Sequence, residues 1–171
     1  MPDPLSYYGK SKLAGENAVK IEGGDKWSII RTNVVYGNSS YNKMDFIRWV
    51  VNALSESKKL TIIDGQWCNP TLTDDIAKGV HRIIEKNERG VINFAGRGYY
   101  NRYDIAMMIA DVFNYDSKLI TKIPSSKLKQ KAVRPEKGGL TNLKAETSLN
   151  MTFSDLETGL INLKHQLNKD K

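Results

Sequence analysis

An α/β fold is what the sequence predicts, on three observations. Short runs rich in β-branched residues, at Trp27–Arg31, Leu60–Ile63 and Val91–Phe94, alternate with longer stretches of helical period. Turn dipeptides and glycines punctuate them, Asp64-Gly65 and Gly90 among others. The composition, 40% hydrophobic and 26% charged over 171 residues, is that of a globular chain long enough to bury a core.

Taken in order, Leu5 to about Ile21 reads as a helix with Leu5, Tyr8, Leu13, Ala14 and Ala18 on its apolar face and Gly23-Gly24 as its stop. A strand at Trp27–Arg31 leads to a turn around Tyr36-Gly37-Asn38. Met44 to Ser55 has helical period through Phe46, Ile47, Val50, Val51 and Leu54. After the strand at Leu60–Ile63, Thr73-Asp74-Asp75 offers capping oxygens to a helix carrying Ile76, Val80, Ile83 and Ile84. Gly90 ends it and Val91–Phe94 follows as a strand. Asn101 to Phe113 is helical, with Ile105, Met108, Ile109, Val112 and Phe113 inward. Leu119 to Ile123 reads as a strand before Pro124 and a basic loop. The last helix spans about Phe153 to Leu167, capped by Ser154 or Thr152, with Leu156, Leu160, Leu163 and Leu167 as its stripe. There is no internal repeat and no low-complexity tract.

No apolar run approaches the roughly 20 residues of a membrane span. Met1-Pro2-Asp3-Pro4 has neither the basic start nor the apolar middle of a secretory leader. The single cysteine, Cys68, excludes an internal disulfide and a multi-cysteine zinc site. These features lead to the expectation of a cytoplasmic protein. The formal charge is +7, and the excess concentrates between Lys118 and Lys144: Lys118, Lys122, Lys127, Lys129, Lys131, Arg134, Lys137 and Lys144 against the lone acid Glu136. Such a cluster fits a phosphate-bearing small ligand, a nucleic-acid backbone or a solvated lysine-rich face.

The most informative run is Tyr7-Tyr8-Gly9-Lys10-Ser11-Lys12-Leu13-Ala14-Gly15-Glu16. Tyr8 and Lys12 are four residues apart, so a helix projects both from one face. A free phenol titrates near 10, too high for a good proton shuttle at neutral pH, and an ammonium a few ångströms away favours the phenolate. The spacing alone equally describes a partly buried tyrosine beside a solvated lysine.

The surrounding residues add to it. Tyr-Gly-x-Ser-Lys-x-x-Gly-Glu resembles the catalytic helix of the extended short-chain dehydrogenases/reductases. The resemblance continues in order through Ile30–Gly37, Asp64-Gly65-Gln66, Pro70-Thr71, Asp74–Ala77, Gly90–Gly96, Tyr103–Ala106, and Arg134-Pro135 with Gly139-Leu140 and Lys144. It covers nearly the whole chain and is nearest the dTDP-4-dehydrorhamnose reductase-like subgroup, whose members reduce a keto group on a nucleotide-linked sugar. The resemblance implies the C-terminal portion of a Rossmann-type, NAD(P)-binding fold over residues 1–40 and a small mixed α/β substrate-binding lobe over 41–171. It implies Tyr8 as proton donor and acceptor, Lys12 as its partner and as a hold on the cofactor ribose, and Gln66 and Arg134 as contacts to a sugar nucleotide. NADP or NAD is the implied cofactor, with no nucleic acid and no membrane involved.

This sequence departs from the family pattern in three ways. Members carry a Gly-x-x-Gly-x-x-Gly loop and a substrate-binding Ser or Thr before the tyrosine, whereas here the tyrosine is residue 8 and Gly96-Arg97-Gly98 lacks the third glycine. Val34 stands where rhamnose-type reductases carry tryptophan. The expectation is therefore the C-terminal part of such an enzyme, binding NAD(P) weakly, with an unpaired sheet edge that a second copy or a partner chain completes. The alternatives are a non-catalytic binding or regulatory subunit and a nucleotide-sugar epimerase or dehydratase. Of the remaining residues, Arg134 suits a bidentate phosphate contact or a surface ion pair. Asp74 and Asp75 read as caps rather than as a catalytic pair. His81 and His165 have no ligand-like neighbours, so no metal site is expected. Trp27, Trp49 and Trp67 read as core or pocket wall.

Overall fold

Among the described residues six strands pair two by two, and all three pairs are parallel. The computed structural model describes residues 2–38, 44–127 and 134–169. Its elements run α1 (Tyr7–Gly23), β1 (Ser28–Thr32), β2 (Val35–Tyr36), α2 (Phe46–Ser55), β3 (Leu60–Asp64), β4 (Thr71–Leu72), α3 (Thr73–Lys86), β5 (Gly90–Phe94), α4 (Arg102–Phe113), β6 (Ile120–Pro124), α5 (Leu143–Ser148) and α6 (Leu156–Lys169). Strand β1 lies beside β5 with Ser28 opposite Gly90, β3 beside β6 with Leu60 opposite Ile120, and β2 beside β4. Parallel pairing requires a crossover between partners, and the helices supply it. The predicted α/β class holds.

Two cores result. In one, β3 and β6 are covered by α2, α4 and α6 through Ile47, Val50, Leu54, Ile62, Ile105, Ile109, Leu156 and Leu160. In the other, β1 and β5 meet α3 and α5 through Ile83, Ile92, Phe94, Ala145, Leu149 and Phe153. Gly79 on α3 makes the second possible: a Cβ there would lie 2.2 Å from the Phe94 ring. The Phe94 ring in turn packs against Phe153 with centroids 5.3 Å apart.

Local chemistry explains most helix ends. Ser6, Asp45 and Asn101 accept hydrogen bonds from the amides of Gly9, Arg48 and Asp104, so α1, α2 and α4 start on side-chain caps. Asn87, not Gly90, closes α3 and Asn114 closes α4, both in the left-handed conformation that asparagine tolerates, while Gly90 opens β5.

The caps of α3 and α6 depart from the sequence reading. No side chain caps α3. Asp75 is buried and accepts from the Ser154 amide at 2.8 Å, while Asp74 takes the amide of Gln166 at 2.8 Å. Both carboxylates turn toward α6 and its approach, although in the first turn of α3 they still complement the helix dipole. Helix α6 is capped by Asp155, through the Thr158 amide at 2.9 Å, not by Thr152 or Ser154.

Burial departs too. No residue of α1 is buried, and Leu5 and Tyr8 are 59% and 70% exposed. Val80, Ile84 and Trp49 also face outward. The helical period located these side chains on a face but could not say what the face meets.

Candidate functional site

Strand direction decides where a ligand can sit. In open parallel sheets the crevice lies beyond the carboxyl ends of the strands. Here those ends are Thr32–Val34 after β1, Gly65–Trp67 after β3 and Ala95-Gly96 after β5. Helix α1 precedes β1 through a short turn closed by Gly23 and Trp27, so its N-terminus lies at this same end. Arg31, near the end of β1, holds Glu16 with hydrogen bonds of 2.8 and 2.7 Å. Tyr8 is eight residues earlier in the helix, about 12 Å further along its axis.

On α1 the Lys12 ammonium lies over the Tyr8 ring, 5.5 Å from its centroid. Both are exposed. The Ser11 hydroxyl donates to the Tyr8 carbonyl at 2.8 Å, and Gly9 lets Pro4 close against the first turn. An open cleft of about 230 Å³ runs from Pro2–Pro4 past Gly9, Lys12 and Leu13 to Glu16 and Arg31. A larger concavity lies on the outer flank of α3, where His81 and Arg82 pair with Glu85 at 3.5 and 3.1 Å.

Gln66 and Arg134 are brought to a second group. Gln66 is partly buried with φ +55°, an uncommon backbone for a non-glycine residue, in the turn that ends β3. The chain after Arg134 docks on that turn: the Trp67 amide donates to the Glu136 carbonyl at 2.7 Å and the Gly138 amide to the Trp67 carbonyl at 2.9 Å. Asn33 donates to the Gly138 carbonyl, and the buried Asn69 accepts from the Leu140 amide at 2.8 Å. Arg134 itself is exposed at the start of this segment.

Among the described residues, two members of the basic cluster are drawn into separate ion pairs. Lys122 pairs with Asp64 at 2.8 Å beside the first core. Lys144 pairs with Glu88 at 3.2 Å beside the second. Lys129 and Lys131 lie outside the described residues. Among the described residues no three His, Cys, Asp or Glu side chains group as a metal site. Cys68 is buried, and burial pushes its thiol up against the opposing charge of Arg102.

Sequence reasoning missed Asn33 and Arg102 and took Val34 only as a departure from the family pattern. Asn33 ties β1 to the 138–140 segment. Val34 holds φ +40° directly after it. A β-branched residue there is strained, and strain of this kind gathers at functional sites. Arg102 opens α4, where the dipole disfavours a cation. That placement was the available signal.

The sequence profile of the RmlD substrate binding domain matches residues 1–168. The chain belongs to the RmlD substrate-binding domain family. Its curated relatives include a dTDP-4-keto-6-deoxy-D-glucose reductase of Streptomyces niveus, 30% identical over 132 residues, covering 77% of this chain and 45% of that protein. The rat methionine adenosyltransferase 2 subunit beta is 30% identical over 154 residues, 86% of this chain and 45% of that one. A crystal structure of a dTDP-4-dehydrorhamnose reductase from Clostridium acetobutylicum superposes with a TM-score of 0.88 at 28% identity, covering 98% of this chain and 58% of that one. This RmlD-type domain thus spans about half the length of the curated relatives it matches. No helix among its described residues is long and apolar enough to cross a membrane.

Proposed function

We propose that this chain binds a nucleotide-linked sugar and moves a proton at the sugar's carbonyl oxygen, as the substrate-binding half of an NAD(P)-dependent reductase of dTDP-linked keto sugars. The observation that carries the reading is the Tyr8–Lys12 pair at the carboxyl end of the parallel strands. Tyr8 gives its phenolic proton to the oxygen as the carbonyl becomes an alcohol. The ammonium of Lys12 offsets the negative charge left behind and has donors to spare for a ribose hydroxyl. Gln66, with an amide donor and acceptor, suits sugar hydroxyls, and the planar fork of Arg134 suits a phosphate. The nicotinamide cofactor, when bound, supplies the hydride. The glycine-rich loop that would hold it is not among the 171 residues, so a further segment or a second chain would provide it. Leu5, just before α1, and Val19 on it are outward apolar residues that such a partner would cover.

Calorimetric titration of the chain with dTDP-glucose, dTDP and glucose tests the proposal. Saturable binding of dTDP-glucose, stronger than that of glucose, is expected. Equal affinity for the sugar with and without its nucleotide overturns the reading.

The likeness to a methionine adenosyltransferase subunit favours one second reading, a non-catalytic subunit. Under it Tyr8 and Lys12 are dispensable, and replacing them leaves the chain's effect on its partner enzyme unchanged.

A further inference from the structure

One segment is held across the strand ends by hydrogen bonds and not by a core. Residues 136–141 are exposed or partly exposed, and none belongs to either apolar cluster. After β1, the Asn33 side chain donates to the Gly138 carbonyl. After β3, the Trp67 amide donates to the Glu136 carbonyl, the Gly138 amide donates to the Trp67 carbonyl, and Asn69 accepts from the Leu140 amide. On β5, the Asn93 side chain donates to the Thr141 carbonyl at 3.2 Å. Three asparagines from three separate strand ends therefore grip one length of backbone. Asn69 is the buried one, and its other end donates to the Gly98 carbonyl. Asn142 fixes the far end of the segment by accepting from the Ala95 amide and donating to its carbonyl.

The middle of this segment is Gly138-Gly139. A Cβ at 139 would lie 2.7 Å from the Tyr99 ring and 3.0 Å from Asn69 Oδ1, so the close approach needs glycine. Glycines also regain the most backbone freedom when a segment comes loose. Each docking hydrogen bond nets little, since water replaces it, and the ordering of six residues opposes them together. No buried apolar side chain adds to that balance, whereas both cores hold their helices through many. The two anchoring turns also carry Val34 at φ +40° and Gln66 at φ +55°, the sparsely populated backbone that gathers at switch regions. From this arrangement we infer that residues 136–141 form a strap that undocks as a unit while both cores stay folded, opening and closing the crevice at the carboxyl ends of the strands. Asn69 is its latch. That a sugar nucleotide closes the strap rests on the function proposed above, and the undocking itself does not.

Hydrogen exchange of the whole chain, followed amide by amide by NMR in low concentrations of urea, tests the strap. The Trp67 and Gly138 amides should share one opening constant, at least tenfold above those of Ile83 in α3 and Ile109 in α4, and nearly independent of urea. A single constant and a single urea dependence for all four amides overturns the inference. Two variants probe the latch through bonds that it does not make itself. Asn69→Ala should speed exchange at Trp67 and Gly138 by tenfold or more. Gly139→Ala, which sets a Cβ against Tyr99 and Asn69, should do the same and leave Ile83 and Ile109 within twofold of wild type. Unchanged exchange at Trp67 and Gly138 in Gly139→Ala overturns undocking as a unit, and if Asn69→Ala fails to fold, Gly139→Ala decides alone. Saturating dTDP-glucose, with binding followed by calorimetry, should slow Trp67 and Gly138 by tenfold or more beyond any slowing of Ile83 and Ile109. Binding without that extra slowing overturns closure by the ligand. Absence of binding overturns the nucleotide-sugar reading and the closure with it, while the undocking stands on the ligand-free chain.

Discussion

Arg31 clasps Glu16 through two parallel hydrogen bonds, Nε to Oε1 at 2.8 Å and Nη2 to Oε2 at 2.7 Å. The pair joins β1 to a helix that buries none of its residues, so it carries much of the docking of the Tyr8–Lys12 helix. Glu16 and Arg31 therefore act on the candidate site at a distance, by fixing where α1 stands.

Glu16→Gln should lower stability by about 1 kcal/mol at neutral pH, the worth of a bidentate charge-assisted pair after discounting for the solvent around Arg31. The hydrogen bond from Arg31, aided by the charges of Arg31 and Lys20, holds the Glu16 carboxyl below its ordinary 4.5. A carboxyl lowered in the folded state stabilises fully above its unfolded value and loses that contribution as pH falls through the folded one. Urea denaturation of wild type and variant should therefore differ at pH 7 and converge as the pH drops well below 4.5.

Two glycine replacements should act with opposite signs. At Gly15 in α1 a Cβ meets nothing within 4 Å, so Gly15→Ala should stabilise the chain by about 0.5–1 kcal/mol through helix propensity. At Gly79 the new Cβ would lie 2.2 Å from a Phe94 ring that cannot retreat, because Phe94 is fully buried against Phe153. Overpacking of about 1–3 kcal/mol outweighs the propensity gain, and Gly79→Ala should lower the urea midpoint.

Asp75→Ala should cost about 1–3 kcal/mol, because it leaves the Ser154 amide without its acceptor in the interior. Asp74→Ala, at a partly exposed carboxylate, should cost less than about 1 kcal/mol. Thermal denaturation of the two variants distinguishes this bridging role from helix capping, under which the two costs would be alike.

Tyr8→Phe and Lys12→Met should each leave stability within about 0.5 kcal/mol of wild type, since both side chains are exposed. In the polypeptide that turns over a keto sugar, each should reduce kcat by about 10²–10⁴, the usual worth of a positioned proton donor. Full turnover by Tyr8→Phe would remove Tyr8 from the proton transfer.

Local pattern alone determined much of this protein. The alternation of strand and helix and the Gly23-Gly24 stop of α1 are written within a few residues of where they act. So is the four-residue step from Tyr8 to Lys12, which becomes a shared face wherever a helix forms. The tertiary structure decided what distance in sequence hides. It set β1 beside β5 and β3 beside β6, turned Asp75 toward a Ser154 amide 79 residues away, and left the apolar side chains of α1 outward. It also paired Lys122 with Asp64 and Lys144 with Glu88, and brought the Arg102 amide to the Gly65 carbonyl. Periodicity states which side chains share a face, but burial and electrostatic partners are set by packing between segments, where each contact depends on every crossover that precedes it.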